Sequence, residues 1–275
     1  MVTAPTAVPP MTSTTAEFHR LHESGCFVIP NPWDAGSARY LEHLGFKALA
    51  STSAGFAWSQ GRPDNRVSLE QLLAHLKSLA NAVTIPVAAD FEDGLAADPE
   101  GVARNVRLAV QTGIAGLSIE DSTRDSPEPL HDLPLAADRI RAARDAIDRS
   151  GTGALLTARC ESYLVGRPDL ADTITRLKAY ADAGADCLFA PGLSTQEEVS
   201  AVVKAVAPKP VNLIVVSPWI TVAEAQVLGV RRISVGGSLA RAAWRGFHNA
   251  ASEILSTGSF GGFAGPRLDL DRIFG

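Results

Sequence analysis

Cysteine is scarce in this chain. The three present, Cys26, Cys160 and Cys187, are odd in number and far apart, which excludes a closed disulfide framework and suits a reducing cytoplasm. No apolar run approaches the ~18–20 residues that cross a bilayer, so no membrane partner is expected. Basic clusters are missing too. With 25 Lys and Arg against 30 Asp and Glu the net charge is −5, and a nucleic-acid partner is not expected. The opening stretch MVTAPTAVPPMTSTTAE has neither a basic residue nor an apolar core and does not read as a secretory signal. What is present is a hydrophobic content of 46% in 275 residues, enough for a full-sized core and incompatible with intrinsic disorder.

Residues 1–15, rich in Thr, Pro and Ala, read as a disordered arm. A rhythm then runs to about residue 258, and 259–275 form a glycine-rich tail expected to pack on the barrel or on a neighbouring subunit. Short, almost wholly apolar runs at 26–30, 48–53, 85–90, 116–120, 154–159, 187–191, 211–216 and 232–236 read as parallel strands buried on both faces. Helical patterns follow at 35–44, 69–82, 99–111, 135–149, 169–183, 195–206, 222–228 and 239–255. Gly45, Gly113, Gly151, Gly184 and Gly229 stand just past helical runs, where a left-handed cap favours glycine. Eight strand-then-helix units in residues 16–258 predict a (β/α)₈ barrel of the TIM type. The doubly wound open sheet competes, but its glycine fingerprint is missing after the first strand, where the chain reads PNPWDAGSA.

A barrel of this kind carries its active site at the C-terminal strand ends. Strand three ends VAADFEDG, with Asp90, Glu92 and Asp93; strand four ends SIEDS, with Glu120 and Asp121; strand five ends TARCES, with Arg159 and Glu161. Crowded carboxylates need a cation, a shared proton or solvent, and an oxygen-only donor set favours Mg²⁺ or Mn²⁺ over zinc. Asp90 and Glu92, two apart, are expected on one side of a strand. Helix capping explains Asp93, Asp121 and Glu161 better than it explains Asp90 or Glu120. His19 and His22 read as a surface pair, and Cys160 as an inert core residue. SVGGSLARA after strand eight admits two readings, a phosphate site and a tight turn. Trp33 and Trp58 could line a pocket or plug the barrel mouth.

The segments PNPWDAGSARYLEHLGFKALASTSAG, GRPDN, ADFEDG, GLSIEDS and LLTARCESYL together resemble the isocitrate lyase/phosphoenolpyruvate mutase superfamily, from about residue 17 to about 258. The resemblance implies a barrel whose last helix is exchanged between subunits of a homo-oligomer, a dimer or dimer of dimers. It also implies Mg²⁺, a small 2-oxo acid substrate and an enolate-like intermediate. Residue by residue, it makes Asp90 the direct metal ligand, with Glu92 and Glu120 reaching the metal through water. Arg159 would hold the substrate carboxylate and oxo oxygens, Thr52, Ser53 and Ala54 would grip the carboxylate, Asp64 would stand near the metal, and Asn212 would line the pocket. Arg159, Asp64 and Glu120 are the catalytic candidates.

Departures from the family bear on the reaction. The lyase lid K-K/R-C-G-H after strand four is replaced by STRDSPEPLHDL, the mutase lid is absent, and Pro191 stands where lyases have a glutamate. The expected activity is therefore Mg²⁺-dependent making or breaking of a bond next to the carbonyl of a 2-oxo (di)carboxylate, of the lyase or decarboxylase type. Phosphonopyruvate-type P–C chemistry and a non-catalytic 2-oxo acid binding protein are the alternatives. His131, in the lid segment, is a candidate general acid. Arg62 and Arg124, on mouth loops, are candidates for a second carboxylate.

Overall fold

The computed structural model describes residues 12–123 and 127–275. Its strands are β1 (Phe27–Ile29), β2 (Leu49–Ala50), β3 (Val87–Asp90), β4 (Gly116–Glu120), β5 (Leu155–Arg159), β6 (Cys187–Phe189), β7 (Val211–Ile214) and β8 (Arg232–Ser234). They form one parallel sheet of eight strands in the order β1-β8-β7-β6-β5-β4-β3-β2. From β2 to β8 each strand neighbours the next in sequence, and β1 pairs with β8, so the sheet curls into a nearly closed (β/α)₈ barrel. An open doubly wound sheet, whose strand order reverses part-way, is excluded. Among the described residues no ladder joins β1 to β2. That seam is crossed by Ala50 N–H to Pro30 O (3.1 Å) and by Asn31 Nδ2 to Ser51 O (2.9 Å).

The helices are α1 (Ser13–Glu23), α2 (Ala35–His43), α3 (Ser53–Ser59), α4 (Leu69–Ala82), α5 (Pro99–Val110), α6 (Leu133–Ser150), α7 (Leu170–Asp182), α8 (Gln196–Val206), α9 (Val222–Val227), α10 (Ser238–Thr257) and α11 (Leu270–Phe274). Local chemistry sets their ends. Asp34, Ser68, Thr195 and Thr221 close capping boxes that satisfy first-turn amides of α2, α4, α8 and α9. The five glycines read as stops all have positive φ, from 69° at Gly151 to 105° at Gly184. The main core lies between sheet and helices. There Val102, Val106 and Val110 of α5 face a layer shared with Ile140 and Ile147 of α6, all buried. Each such side chain contributes about 1.5–3 kcal/mol on burial. A second cluster fills the lower barrel, where Phe18 of α1 meets Ile29, Leu155 and Cys187.

Several boundaries differ from the sequence reading. Residues 12–15 belong to α1, not to an arm: Thr12 caps it by accepting the Thr15 N–H (3.2 Å), and the helix plugs the barrel bottom. His22 is therefore buried, not a surface residue; its ring sits edge-on to Phe18 and Phe27. The second strand stops at Ala50 because Thr52 is an N-cap, accepting the Gly55 N–H (3.2 Å), so Ser53 opens α3 instead of ending a strand. At the C-terminus α10 stands off the barrel, with Ala240 its one buried residue. The tail folds back on it, because Glu253 accepts the N–H groups of Gly261 (2.8 Å) and Gly262 (2.7 Å). α11 then packs on α2, with Arg39 over the Phe274 ring. No helix is long and apolar enough to cross a membrane among the described residues.

Candidate active site

Three adjacent strand ends converge on one guanidinium. Arg159, the last residue of β5, points its Nη1 at Asp90 Oδ1 (3.6 Å) on β3 and at Glu120 Oε2 (3.4 Å) on β4. Its Nε and Nη2 form a two-pronged pair with Glu161, the second contact at 3.1 Å. The Phe189 ring of β6 lies beneath, 5.3 Å from the guanidinium carbon. Glu161 is an arm of this clamp and not the helix cap that its place after a strand suggests. The signal was present, since Arg159 and Glu161 are two apart, as Asp90 and Glu92 are. Burial raises the Glu120 carboxyl well above the usual carboxylate range, with Arg159 pulling the other way, and Glu161 shifts upward for the same first reason.

Asp90 is fixed from its other side. Ser53 gives both its N–H (3.0 Å) and its hydroxyl (2.9 Å) to Asp90 Oδ2. The Ser53 amide thus orients an acid in this state, while Thr52 is occupied as a cap and the Ala54 methyl lies beside Gly237. Glu92 is buried and lines the same mouth, but it does not continue β3. Its φ of 52° takes it off the strand, so the alternation argument does not explain its position. Asp64, on the exposed α3–α4 loop, faces the mouth too; desolvation by surrounding protein and then the Asp90 charge raise its carboxyl. The mouth is a polar cavity of about 1000 Å³, open to solvent, into which Arg66 and Arg167 also reach. Among the described residues no three His, Cys, Asp or Glu side chains are disposed to enclose a metal by themselves.

Asn212 lines the inner cavity of the barrel together with Asp90 and Arg159, donating to Ser234 Oγ (3.0 Å) and accepting from Arg232 Nε (2.8 Å). Other candidates fall outside the site. Arg62 is turned away, spending Nη1 on Gln71 Oε1 (2.9 Å) and Arg66 O (3.3 Å); Arg124 lies outside the described residues. His131 is not among the mouth residues, and burial and Arg139 lower its pKa. Cys160 is fully buried, its thiol pushed up to about 12 by desolvation. The SVGGS segment is a turn whose Val235 and Gly236 amides both donate to Asn31 Oδ1 (2.9 Å). A side chain at Gly237 would strike Trp58, which packs there beneath Arg241 instead of plugging the mouth.

Two residues support the clamp from behind: Asp121, which is not the helix cap its position suggests, since Asp132 caps α6, and Arg139, for which the sequence carries no signal. Asp121 is buried and accepts from the Glu161 N–H (2.8 Å), the Tyr180 hydroxyl (2.6 Å) and Arg176 Nη1 (3.2 Å), tying the clamp to α7. Arg139 of α6 donates to the backbone oxygens of Glu120 (3.0 Å), Ala96 (3.0 Å) and Asp93. Both hold the loops after β3 and β4 in place from behind.

The profile of the phosphoenolpyruvate phosphomutase family matches residues 18–255. The chain belongs to that family. It is thereby a member of the isocitrate lyase/phosphoenolpyruvate mutase superfamily. Among solved structures it is similar to a Burkholderia cenocepacia protein provisionally described as a lyase/mutase. The two share 46% identity over 95% of this chain and 96% of that one, with a TM-score of 0.92. It is similar also to oxaloacetate acetylhydrolase, solved with its product oxalate, at 28% identity, 95% and 94% coverage and a TM-score of 0.85. An uncharacterized protein of Mycobacterium tuberculosis is 36% identical over 80% of this chain and 81% of its own. The superfamily includes carbon–carbon lyases, an oxaloacetate decarboxylase and phosphonomutases.

Proposed function

We propose that this family member is an enzyme, a lyase or decarboxylase, that makes or breaks the bond next to the carbonyl of a small 2-oxo mono- or dicarboxylate. The observation that supports this reading is the Arg159 guanidinium, set among the carboxylates of Asp90, Glu120 and Glu161 at the floor of an open polar cavity. Arg159 binds the oxo and carboxylate oxygens and balances negative charge as an enolate-like form develops. Ser53 orients Asp90. The first-turn amide of Ala54, which has no carbonyl to reach within its own helix, is directed to the substrate carboxylate. Arg66 reads a second carboxylate at the mouth, where Arg167 is already held by Pro127 O (3.1 Å) and the Glu128 carboxylate (3.7 Å).

Mg²⁺, or Mn²⁺, suits the residues present. Asp64, Asp90, Glu92, Glu120 and Glu161 offer oxygen donors only, with a surplus of negative charge over Arg159. A hard cation that keeps several waters needs no enclosing protein cage. Asp90 would hold it directly, and Glu92 and Glu120 through water. Bound there, the ion would polarise the 2-oxo group as a Lewis acid.

The same reading makes the chain a cytoplasmic homo-oligomer in which a second copy covers α10. Trp244, Phe247 and Leu255 of that helix are exposed, Leu255 by 90%. Titration of pyruvate, oxaloacetate, 2-oxoglutarate and phosphonopyruvate with Mg²⁺, followed by NMR of the products, tests the activity. Loss of a 2-oxo acid with a new carbon-bonded product supports it. Turnover of phosphonopyruvate alone, or binding without turnover, overturns it in favour of P–C chemistry or of a sensing protein.

A further inference from the structure

The turn that follows β3 takes a path that side chains resist. Within residues 91–96, Glu92 (φ 52°), Gly94 (76°) and Leu95 (52°) all have left-handed backbone. Glycine adopts that region freely, but other residues stay there only where their surroundings over-determine them. Here every carbonyl oxygen of the turn has a partner. Phe91 O accepts the Gly94 N–H (2.9 Å), and Glu92 O accepts the Glu120 N–H (3.0 Å). Arg139 Nη2 donates to Asp93 O and to Ala96 O (3.0 Å), and Asn105 Nδ2 donates to Gly94 O (2.9 Å) and to Leu95 O (3.1 Å). Four of the six oxygens are thus held by two buried side chains.

Asn105 is the more telling of the two. It lies in the interior of α5, where asparagine is a poor helix former, and the buried residues that flank it, Val102, Val106, Ala109 and Val110, are apolar. Gly94 packs against Val102 and Ile119, and a carbonyl oxygen left there without a donor would be costly. Arg139 also donates to Glu120 O (3.0 Å), so its loss disturbs two strand ends at once. Among the described residues the side-chain hydrogen bonds of Asn105 go to the β3 turn alone.

We propose that Asn105 is a positioning residue for the metal site: by locking the left-handed turn it aims the buried Glu92 carboxylate into the mouth. The proposal rests on the reading of Glu92 as a ligand that reaches the metal through water. Relaxation of the backbone at residue 92 swings that carboxylate away, while Asp90, on the strand before the turn, stays in place.

Calorimetric titration of Mg²⁺ into the intact protein, with oxalate present, tests the coupling. Asn105→Ala should weaken Mg²⁺ binding about tenfold to a hundredfold. Glu92→Gln should weaken it too, and the double variant should bind no more weakly than E92Q alone, since Asn105 acts through Glu92. Additive losses overturn the proposal, as does wild-type Mg²⁺ affinity in N105A. Wild-type affinity in E92Q removes Glu92 from the metal site instead, and the proposal falls with that reading. Hydrogen exchange of the metal-free protein gives a second measure, because the Glu120 amide bonds Glu92 O and the Leu156 amide of β5 bonds the distant Asp186 carboxylate. In N105A the loss of protection at Glu120 should exceed that at Leu156 about tenfold. Equal losses mean a general loss of stability and overturn the proposal. In the wild type both Nδ2 protons of Asn105 should be protected from exchange, and free exchange there overturns it even if N105A does not fold.

Discussion

His22 makes acid stability a quantitative test of how the barrel is plugged. Its Nδ1–H donates to Phe18 O (2.7 Å), so Nε2 is the bare nitrogen that faces Arg232. A proton on Nε2 would place a second charge in a buried site beside a guanidinium, and the pKa falls from 6.5 to about 3, chiefly through desolvation. Because the folded value is depressed, the unfolded chain takes up a proton that the folded chain refuses. The stability that depends on a neutral His22 is complete above pH 6.5 and is lost as the pH falls from 6.5 toward 3. The full span corresponds to about 5 kcal/mol, of which about 2 kcal/mol is reached between pH 7.5 and pH 5. Urea denaturation at these two pH values, for the wild type and for His22→Gln, isolates this share, since carboxylates titrate alike in both proteins. The wild type should lose about 2 kcal/mol more than H22Q on acidification. Equal losses would refute the account of a buried neutral imidazole.

Asp90→Ala should abolish Mg²⁺-dependent binding of oxalate in calorimetry while leaving the far-UV circular dichroism unchanged; retained metal dependence would remove Asp90 from the site. Asp121→Asn should cost about 3–5 kcal/mol in chemical denaturation, because Arg176 and Tyr180 lose a buried charged partner. Oxaloacetate or 2-oxoglutarate should bind roughly tenfold to a hundredfold more tightly than pyruvate, and Arg66→Met should narrow that gap; equal affinities in the wild type would show that the mouth reads no second carboxylate. Truncation after Thr257 should lower the mass seen by light scattering, since it removes the segment that Glu253 folds back onto α10.

The residues legible in the sequence are those whose position follows from strand periodicity alone. Asp90, Glu120 and Arg159 end apolar runs, and once the runs are ordered round a barrel their convergence follows. Strand alternation carries Glu92 only if β3 continues past Asp90, whereas the backbone turns there into a left-handed conformation. Glu161 is hidden in the sequence because acids after strands so often cap helices. Arg62 shows the limit for loops, where composition does not say which way a side chain turns. His22 and Arg232 are 210 residues apart, and Asn31 bonds amides more than 200 residues away. Such contacts depend on how α1 plugs the barrel and on which strands close the ring, and no local pattern encodes them.

The seam between β1 and β2 divides the barrel unequally. Parting β4 from β5 would unzip five paired positions, while among the described residues parting β1 from β2 breaks one main-chain bond and the grip of one asparagine amide. Breathing motions should therefore concentrate along that line, and the Ala50 amide should exchange with solvent sooner than those of β4 and β5. Ser51 to Ser53 are mounted on this yielding edge. A ligand that draws Ser53 away from Asp90 can thus be accommodated by a small hinge at the seam, with the rigid strands that carry Glu120 and Arg159 left where they are.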